Sequence, residues 1–278
     1  MAAGLYDLGH EVEVIEPQTM LVQRIFIHGS GSTIRSSSDG GAIDMRIESV
    51  IRDLEIIGNG TGLDVGTPGR TVLERLKVGG SNVRAISVSG DVTMRDITIA
   101  GGGWGIQVNP ASRLTLDGGT IKLSAVGILT YANSVVDISN LLVFGASTMA
   151  LDLSASSGGT VSFTTVVDSG TDSGSGSRAV RCGTSRITVR SSIIWAPGST
   201  ERAAIDGGCT LASTIVGPTA VPGATNVDPR FVDPAGRDYH LSAGSPARDA
   251  VDVGPARDFE GDLRPRGGRF DLGADEAQ

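Results

Sequence analysis

The chain has 278 residues and a formal net charge of −8, and this acidic balance, with no cluster of Lys or Arg, argues against an electrostatic surface for nucleic acid. Charged residues make up only 19% of the chain and glycine occurs 40 times, a composition that favours tight turns between strands over helices. No apolar run reaches the ~18 residues of a membrane-spanning helix, so we expect no membrane insertion. The length of the chain fits one domain, and we expect that domain to be a monomer.

The N-terminal segment predicts the beginning of a β-rich fold. Strand-like stretches occupy residues 12–15, 21–27 and 33–34, and Pro17 fits a turn rather than a strand interior. We expect these strands to form the first coils of the repeat that follows. The segment has neither a basic start nor a long apolar stretch, so it predicts no signal peptide within this sequence.

A four-residue pattern recurs along the middle of the chain. The copies are "AIDM" at 42, "GLDV" at 62, "AISV" at 85, "GIQV" at 105, "GILT" at 127, "ALDL" at 150, "AVRC" at 179 and "AIDG" at 204, at spacings of 20 to 29 residues. A period of this length indicates a solenoid, in which each unit buries its apolar face only by stacking on its neighbours.

Alternating segments separate these copies and complete each unit. The clearest are "VIRDLEI" from Val50, "VLERLKV" from Val72 and "TMRDITI" from Thr93, each with apolar and polar residues alternating around a central bend. Alternation with period two indicates half-buried strands, and short polar residues tolerate the left-handed backbone of a bend. Alignment of the coils predicts this bend at Asp53, Arg75, Asp96, Thr120, Asn140, Thr165 and Ser192.

Three short strands per coil, stacked in parallel at about 4.8 Å, predict an all-β fold: a single-stranded right-handed parallel β-helix of about eight or more coils over residues 1–217. The repeated G-[IL]-x-V, followed by V-x-[RE]-[DR]-[LI]-x-[IV], resembles the pectin-lyase-like superfamily over residues 42–216. The resemblance implies a site on an exposed strand face, where many polysaccharide lyases and hydrolases of that superfamily carry theirs. The polygalacturonase and pectate lyase enzyme motifs are absent from this sequence.

The repeat stops after Gly217, and we expect residues 218–278 to form an irregular capping segment of the same domain, covering the unpaired backbone groups of the last coil. Three motifs resemble the C-terminal segment of bacterial exported β-helix proteins with interchangeable surface anchors: "DPRFVDP" at 228, "GSPA" at 244 and "DLGADE" at 271. The resemblance implies an extracellular or cell-surface location. We expect no cofactor; a Ca²⁺ site among the carboxylates of this segment stays open, although no D-x-D-x-D-G loop supports it.

Few residues point to nucleophilic or zinc chemistry. Cys182 and Cys209 fall in successive coils, where a disulfide and two stacked free thiols fit the pattern equally. The three histidines, His10, His28 and His240, stand far from any candidate nucleophile, and no G-x-S-x-G, H-E-x-x-H or phosphate-binding motif occurs. The sequence therefore disfavours nucleophilic and nucleotide chemistry and excludes a standard zinc-finger pattern.

The candidate site is the residue that follows the inward Ile or Leu of each tetrapeptide, because strand alternation turns it outward. Stacking aligns Asp44, Asp64, Ser87, Gln107, Leu129, Asp152, Arg181 and Asp206 in one external column. Within it, Asp44 and Asp64 have the spacing of a hydrolase carboxylate pair. A calcium-assisted lyase requires several carboxylates and a base, and Asp152, Arg181 and Asp206 are the grouping nearest to that requirement.

Two aromatic residues complete this candidate site. Trp104 and Tyr131 lie near the turns beside the column and could stack on sugar rings, although Trp104 could instead cap the coil interior. We therefore predict that Asp44, Asp64, Gln107, Asp152, Arg181, Asp206, Trp104 and Tyr131 bind a polysaccharide or cell-surface glycan. A lyase or hydrolase using the same face, and a non-catalytic structural or adhesion module, are the alternatives.

A second set of charged residues is expected to be structural. Arg52, Glu74 and Arg95 align just before the bend with alternating sign, which places opposite charges one coil apart. Cross-strand pairs of this kind contribute roughly 0.2–1 kcal/mol each. We expect them to stabilise the stack of coils rather than to bind a ligand.

Overall fold

A computed structural model describes residues 5–8, 12–14, 25–36, 41–80, 83–169, 178–184, 186–197, 204–206 and 208–278. Every regular element in these ranges is a β-strand, and none of them contains a helix of the length and apolarity that crossing a membrane requires. His10, Pro17 and parts of the predicted strands at 12–15 and 21–27 lie outside the described residues.

The strands follow one another in short segments joined by bends. In chain order they are β1 Leu5–Leu8, β2 Val12–Val14, β3 Ile25–Ser36, β4 Gly41–Met45, β5 Ser49–Gly58, β6 Thr61–Gly79, β7 Arg84–Ala100, β8 Trp104–Val108, β9 Arg113–Lys122, β10 Val126–Thr130, β11 Val135–Phe144, β12 Met149–Asp152, β13 Gly158–Ser162, β14 Thr165–Val167, β15 Val180–Arg181, β16 Ile187–Arg190, β17 Ile193–Trp195, β18 Thr210–Ala212, β19 Ile215–Gly217, β20 Phe231–Asp233 and β21 Asp238–Leu241.

The first nineteen strands form one parallel stack of coils with three sheets. Sheet A contains β2, β4, the first parts of β6 and β7, and then β8, β10, β12 and β15. Sheet B runs from the first part of β3 to β18, and sheet C from β1 to β19. Eight described strands stack in sheet A, so about seven turns separate its first strand from its last, and the predicted all-β parallel solenoid is confirmed.

The bend between sheets B and C is set by residues in the left-handed backbone conformation. Asp53, Arg75, Asp96 and Asn140 have φ between 51° and 54°, as predicted. In the other coils the prediction was wrong by one or two positions, because the left-handed residues are Gly118, Phe163 and Ser191 rather than Thr120, Thr165 and Ser192. The β-branched Thr120 instead pairs with Thr98 and Leu142 in sheet C, where its side chain suits a strand.

The interior of the coils is a continuous apolar core. In sheet A the inward residues stack directly in the order Ile43, Leu63, Ile86, Ile106, Ile128 and Leu151, and each is at most 2% exposed. Full burial of one such side chain stabilises the fold by about 1.5–3 kcal/mol. No coil could bury these residues alone, which is why the tetrapeptide recurs.

The C-terminal segment after Gly217 touches the coils in two places. Val221 and Ala224 pack against the main core, and Thr225 bridges to Ile215 at the last coil. The rest lies along the outer surface of sheet C, where the antiparallel pair β20–β21 and the final residues cover apolar side chains of that sheet. The contacts are made by two clusters: Ile193 and Ile215 with Leu241, Ala247 and Leu272, and Leu142, Phe144 and Val167 with Tyr239 and Ala274.

A buried arginine fastens this segment to the bend. Arg264 is 6% exposed and its Nε donates to Glu276 Oε2 at 2.9 Å. Its other nitrogens donate to Asn140 Oδ1 at 3.3 Å and to the carbonyls of the "DLGADE" motif, and the guanidinium lies 4.9 Å from the ring centre of Phe163. Gly273 also donates its N–H to the carbonyl of Ser191 at 2.9 Å. The tail therefore contacts three successive bends, two through hydrogen bonds and one through the ring of Phe163.

Candidate functional site

The outer face of sheet A carries the predicted column, and the structure aligns its members as expected. Neighbouring strands pair the residues in the order Asp44, Asp64, Ser87, Gln107, Leu129, Asp152 and Arg181. The bridge between Val180 and Ile205 then brings Asp206 beside Arg181. The predicted register is therefore confirmed, and the binding role of these residues stays a prediction.

The column is less exposed than the sequence suggested. Asp44, Ser87, Gln107 and Asp152 are 8%, 2%, 6% and 4% exposed. Because successive coils lie only about 4.8 Å apart, each side chain is covered by the residues above and below it. The expected exposure of the column is therefore wrong for these four members, and ligands would reach mainly the half-buried members and the neighbouring columns.

A hydrogen-bonded network occupies the middle of this face. Arg84 donates to Thr61 Oγ1 and to Gln107 Oε1, both at 3.0 Å. Gln107 Nε2 donates to Asn109 Oδ1 at 2.6 Å, and Asn109 Nδ2 donates to Ser87 Oγ at 3.1 Å. We call these five residues the polar ladder. Each side chain holds its neighbour in one orientation, so the ladder presents fixed amide and guanidinium groups on the outside of the sheet.

Two acidic residues of the column, Asp44 and Asp152, have arginine partners. Asp44 forms an ion pair with Arg46. Asp152 accepts two hydrogen bonds from Arg181, at 3.0 and 2.5 Å, and this hydrogen bonding to Asp152 raises the pKa of the Arg181 guanidinium. A sugar carboxylate or a cation would therefore compete with existing pairs rather than enter a vacant charge site.

Asp206 is bound to the backbone beside the disulfide. Its carboxylate accepts hydrogen bonds from the N–H groups of Cys182, Gly183 and Gly208, at 3.0 to 3.1 Å. Cys182 and Cys209 are joined by a disulfide with a Cα–Cα distance of 5.2 Å, which decides between the two alternatives that the sequence left open. The sulfurs of a disulfide do not act as thiolate ligands, so Cys182, Cys209 and Asp206 form a structural link between coils.

The two predicted aromatic residues lie beside the polar ladder. Trp104 aligns with Arg84 on one side and Val126 on the other, in an outward column whose members are absent from the interior cluster. The structure thus places Trp104 on the outer face and not over the coil interior. Tyr131 donates its N–H to the carbonyl of Val108 and is 38% exposed.

The charged residues before the bend form the expected ion pairs. Glu74 contacts both Arg52 and Arg95 at 2.8 Å, and Arg75 contacts Asp53 at 2.6 Å. His28 lies 2.9 Å from the same Asp53. These residues belong to successive coils, so the predicted pairing of opposite charges along the stack is confirmed, and their purely structural role stays a prediction.

Sequence reasoning missed a cleft between the bend and the C-terminal segment. It has a volume of about 330 Å³ and is lined by Asp96, Asp117, Arg95 and residues 255–258 and 261. Asp117 Oδ1 accepts hydrogen bonds from Ser139 Oγ and Asn140 Nδ2, at 2.7 and 2.8 Å. Burial, followed by the charge of Asp117, raises the pKa of Asp96. The sequence pattern places Asp96 and Asp117 one coil apart. It does not indicate that the C-terminal segment forms the other wall of the cleft.

No protein-family model and no curated protein sequence matches the chain. Among solved structures, the chain is similar to the pectate lyase Pel9A, with a TM-score of 0.59 and 14% identity, covering 91% of this chain and 72% of that one. Identity this low shows the fold alone. The structural similarity supports the right-handed parallel β-helix of pectin-lyase-like fold that the repeat predicted.

Proposed function

We propose that the protein binds a polysaccharide or cell-surface glycan along the outer face of sheet A. The observation that carries the proposal is the arrangement of Trp104 and Tyr131 beside the polar ladder. Aromatic rings offer apolar planes for the faces of sugar rings, and fixed amide and guanidinium groups offer hydrogen bonds to hydroxyl and carboxylate groups. The ladder is already oriented by its own contacts, so binding would order few additional side chains.

Two further observations support this choice of ligand. The fold is shared with a protein named as a pectate lyase, which makes a polysaccharide a natural first ligand to test. The half-buried Arg181, Asp64 and Asp206 extend the face on both sides of the ladder and offer charged groups at its ends. The face is long in one direction, as an extended chain of sugars requires.

We place this activity outside the cell, as a secreted or cell-surface protein of bacterial type. The disulfide between Cys182 and Cys209 supports an oxidising compartment, because such bonds are rare where thiols are kept reduced. The motifs of the C-terminal segment, which resemble those of surface-anchored proteins, support the same location. Neither nucleic acid nor a membrane interior is proposed as a partner, and the binding unit is proposed to be a monomer.

Binding to a panel of neutral and acidic polysaccharides, measured by calorimetry or affinity electrophoresis, tests the proposal. We expect Trp104→Ala and Arg84→Ala each to weaken binding about tenfold, the ~1.4 kcal/mol typical of an anchor residue, because both side chains are half-buried and accessible from the outer face. Arg113→Ala is the matched control, because Arg113 pairs with Asp137 on sheet B, away from the proposed face. Absence of binding by the unaltered protein would favour a structural or adhesion module instead.

The cleft beside the bend supports hydrolysis as a second candidate function. A glycoside hydrolase needs one protonated and one ionised carboxyl group on opposite sides of the scissile bond. Asp96 has the raised pKa of a candidate acid, and Asp117, whose Oδ1 accepts hydrogen bonds from Ser139 and Asn140, is the candidate second carboxyl group. Arg95, on the wall of the same cleft, would favour an anionic substrate.

Release of reducing sugar from the same panel tests this second candidate. The acid must be protonated, so activity should fall as pH rises above the raised pKa of Asp96, and Asp96→Asn should remove it. Asp137→Asn, an exposed acid on sheet B, should leave the rate unchanged. Activity that survives Asp96→Asn would exclude the cleft, while the binding test of sheet A stands independently.

A further inference from the structure

We propose that the C-terminal segment contains a site for a divalent transition metal ion, with Zn²⁺ as the first candidate, formed by His240, Glu260 and Asp275. One ligand atom from each of the three residues lies within 4.8 Å of the other two. The His240 Nε2 to Glu260 Oε2 distance is 2.9 Å. Two ligands bound to one Zn²⁺ at ~2.0–2.2 Å in tetrahedral geometry lie roughly 3.4 Å apart, so small side-chain movements would complete the set.

The carboxylates around the imidazole match the surroundings of a metal-binding histidine. His240 Nε2 lies 2.9 Å from Glu260 Oε2 and Nδ1 lies 2.5 Å from Asp238 Oδ1, so a metal ion would take the place of the Nε2 proton while Asp238 keeps the proton on Nδ1. A carboxylate on the far nitrogen of a histidine is the usual outer support of a zinc ligand, because it orients the ring and raises its basicity. Asp238 thus has the position of a supporting residue.

Asp275 supplies the third ligand. The residue is 5% exposed, and among the described residues its only hydrogen bond is from the Leu241 N–H to Oδ2, at 2.8 Å. Its Oδ1 has no hydrogen-bonding partner in the described chain and does not belong to the fully buried atoms, so this oxygen is open to a cation beside Glu260 and His240.

The backbone holds the three residues together before any ion binds. His240 lies on β21, which Asp275 joins through the Leu241 N–H. Asp258 accepts hydrogen bonds from the N–H groups of Glu260 and Glu276, so the loop that carries Glu260 is tied to the segment that carries Asp275. The nitrogen ligand favours Zn²⁺ or a similar transition metal over Ca²⁺, which takes oxygen ligands.

Titration of the full-length, disulfide-bonded protein with ZnCl₂ after dialysis against a chelator tests the site. We expect one Zn²⁺ per chain by calorimetry and a rise in Tm on the order of 5 °C at a hundredfold excess over Kd. His240→Gln and Glu260→Gln should each weaken binding at least tenfold. His28→Gln is the matched control, because His28 also faces a carboxylate, Asp53 at 2.9 Å, outside the proposed site.

The outcomes separate a metal site from a structural ion pair. If the unaltered protein binds no Zn²⁺ at a one-to-one ratio, or if both site variants bind as tightly as the His28→Gln control, the proposal is overturned. If His240→Gln fails to fold, Glu260→Gln decides alone, since the Glu260 side chain is 47% exposed and its removal leaves no buried group unpaired. Co²⁺ in place of Zn²⁺ adds a readout, because its visible absorption reports a nitrogen–oxygen ligand set.

Discussion

At the scale of single residues, the buried guanidinium of Arg264 makes more hydrogen bonds than the arginines of the surface ion pairs. Its side chain and that of Glu276 are 0% and 1% exposed, and both lie within the C-terminal segment. A buried pair of this kind contributes modestly in total, but loss of one partner leaves an uncompensated charge. Arg264 therefore matters most for what its removal would expose.

We expect Arg264→Ala to lower the free energy of unfolding by about 3–5 kcal/mol, measured by urea denaturation. Arg266→Ala is the control: its guanidinium is 45% exposed and 3.7 Å from Asp262, so its loss should cost at most ~1 kcal/mol. Equal effects of the two substitutions would contradict the assigned role. Replacement of both Arg264 and Glu276 by apolar residues should recover much of the loss, since no buried charge then remains.

At the scale of the strand, the bend in the middle of β9 depends on two consecutive glycines. Gly118 and Gly119 have φ of 82° and 123°, and a Cβ on Gly119 would clash with the carbonyl oxygen of Ile97 in the preceding coil. We expect Gly119→Ala to lower the free energy of unfolding by more than 2 kcal/mol, measured by thermal or urea denaturation.

Gly101→Ala separates backbone strain from the steric clash. Gly101 also has a positive φ, 77°, but a Cβ there would meet no atom within 4 Å. Its substitution should therefore cost only the left-handed strain, about 1 kcal/mol. If Gly119→Ala were no worse than this control, the close approach of the two coils would not limit that position.

The same bend shows how far sequence reasoning reaches in this fold. The register of sheet A was predictable from Asp44 to Asp206 because a small residue followed by an inward Ile, Leu or Val recurs in every coil. At the bend the pattern weakens: Gly118, Phe163 and Ser191 share no side-chain chemistry and have in common only a left-handed backbone. A pattern of polarity cannot identify such positions, so the prediction shifted to nearby threonine and serine.

The disulfide is a second feature of the strand scale, since it closes a loop of 27 residues between two coils. Restriction of the unfolded chain by a loop of this length stabilises the fold by about 3.6 kcal/mol in the chain-entropy description. We expect the double substitution of Cys182 and Cys209 by Ala to lower the free energy of unfolding by about that amount. Addition of a reductant to the unaltered protein should have a similar effect, and a change below ~1 kcal/mol in both would contradict it.

At the scale of the whole molecule, the least predictable feature is the position of the C-terminal segment on sheet C. Its contacts join residues more than a hundred positions apart, such as Arg264 with Asn140 and Ala274 with Thr165. No local pattern encodes such pairs. The outward Leu142 and Phe144 did carry a signal, because apolar residues on the polar side of a strand require a cover, but the sequence alone does not say which segment supplies it.

Separation of this cover from the coils is the final prediction. Leu272 is 7% exposed and packs with Ile193 and Ile215 of sheet C, so Leu272→Asp would place a charge inside the contact. We expect the variant to keep its far-UV β signal while it binds a hydrophobic dye and loses the C-terminal segment to limited proteolysis. Leu263→Asp is the control, because Leu263 is 60% exposed and touches neither cluster. A protease-resistant Leu272→Asp variant would show that the segment is held by its polar contacts around Arg264, and a variant without β signal would show that the coils need their cover to fold.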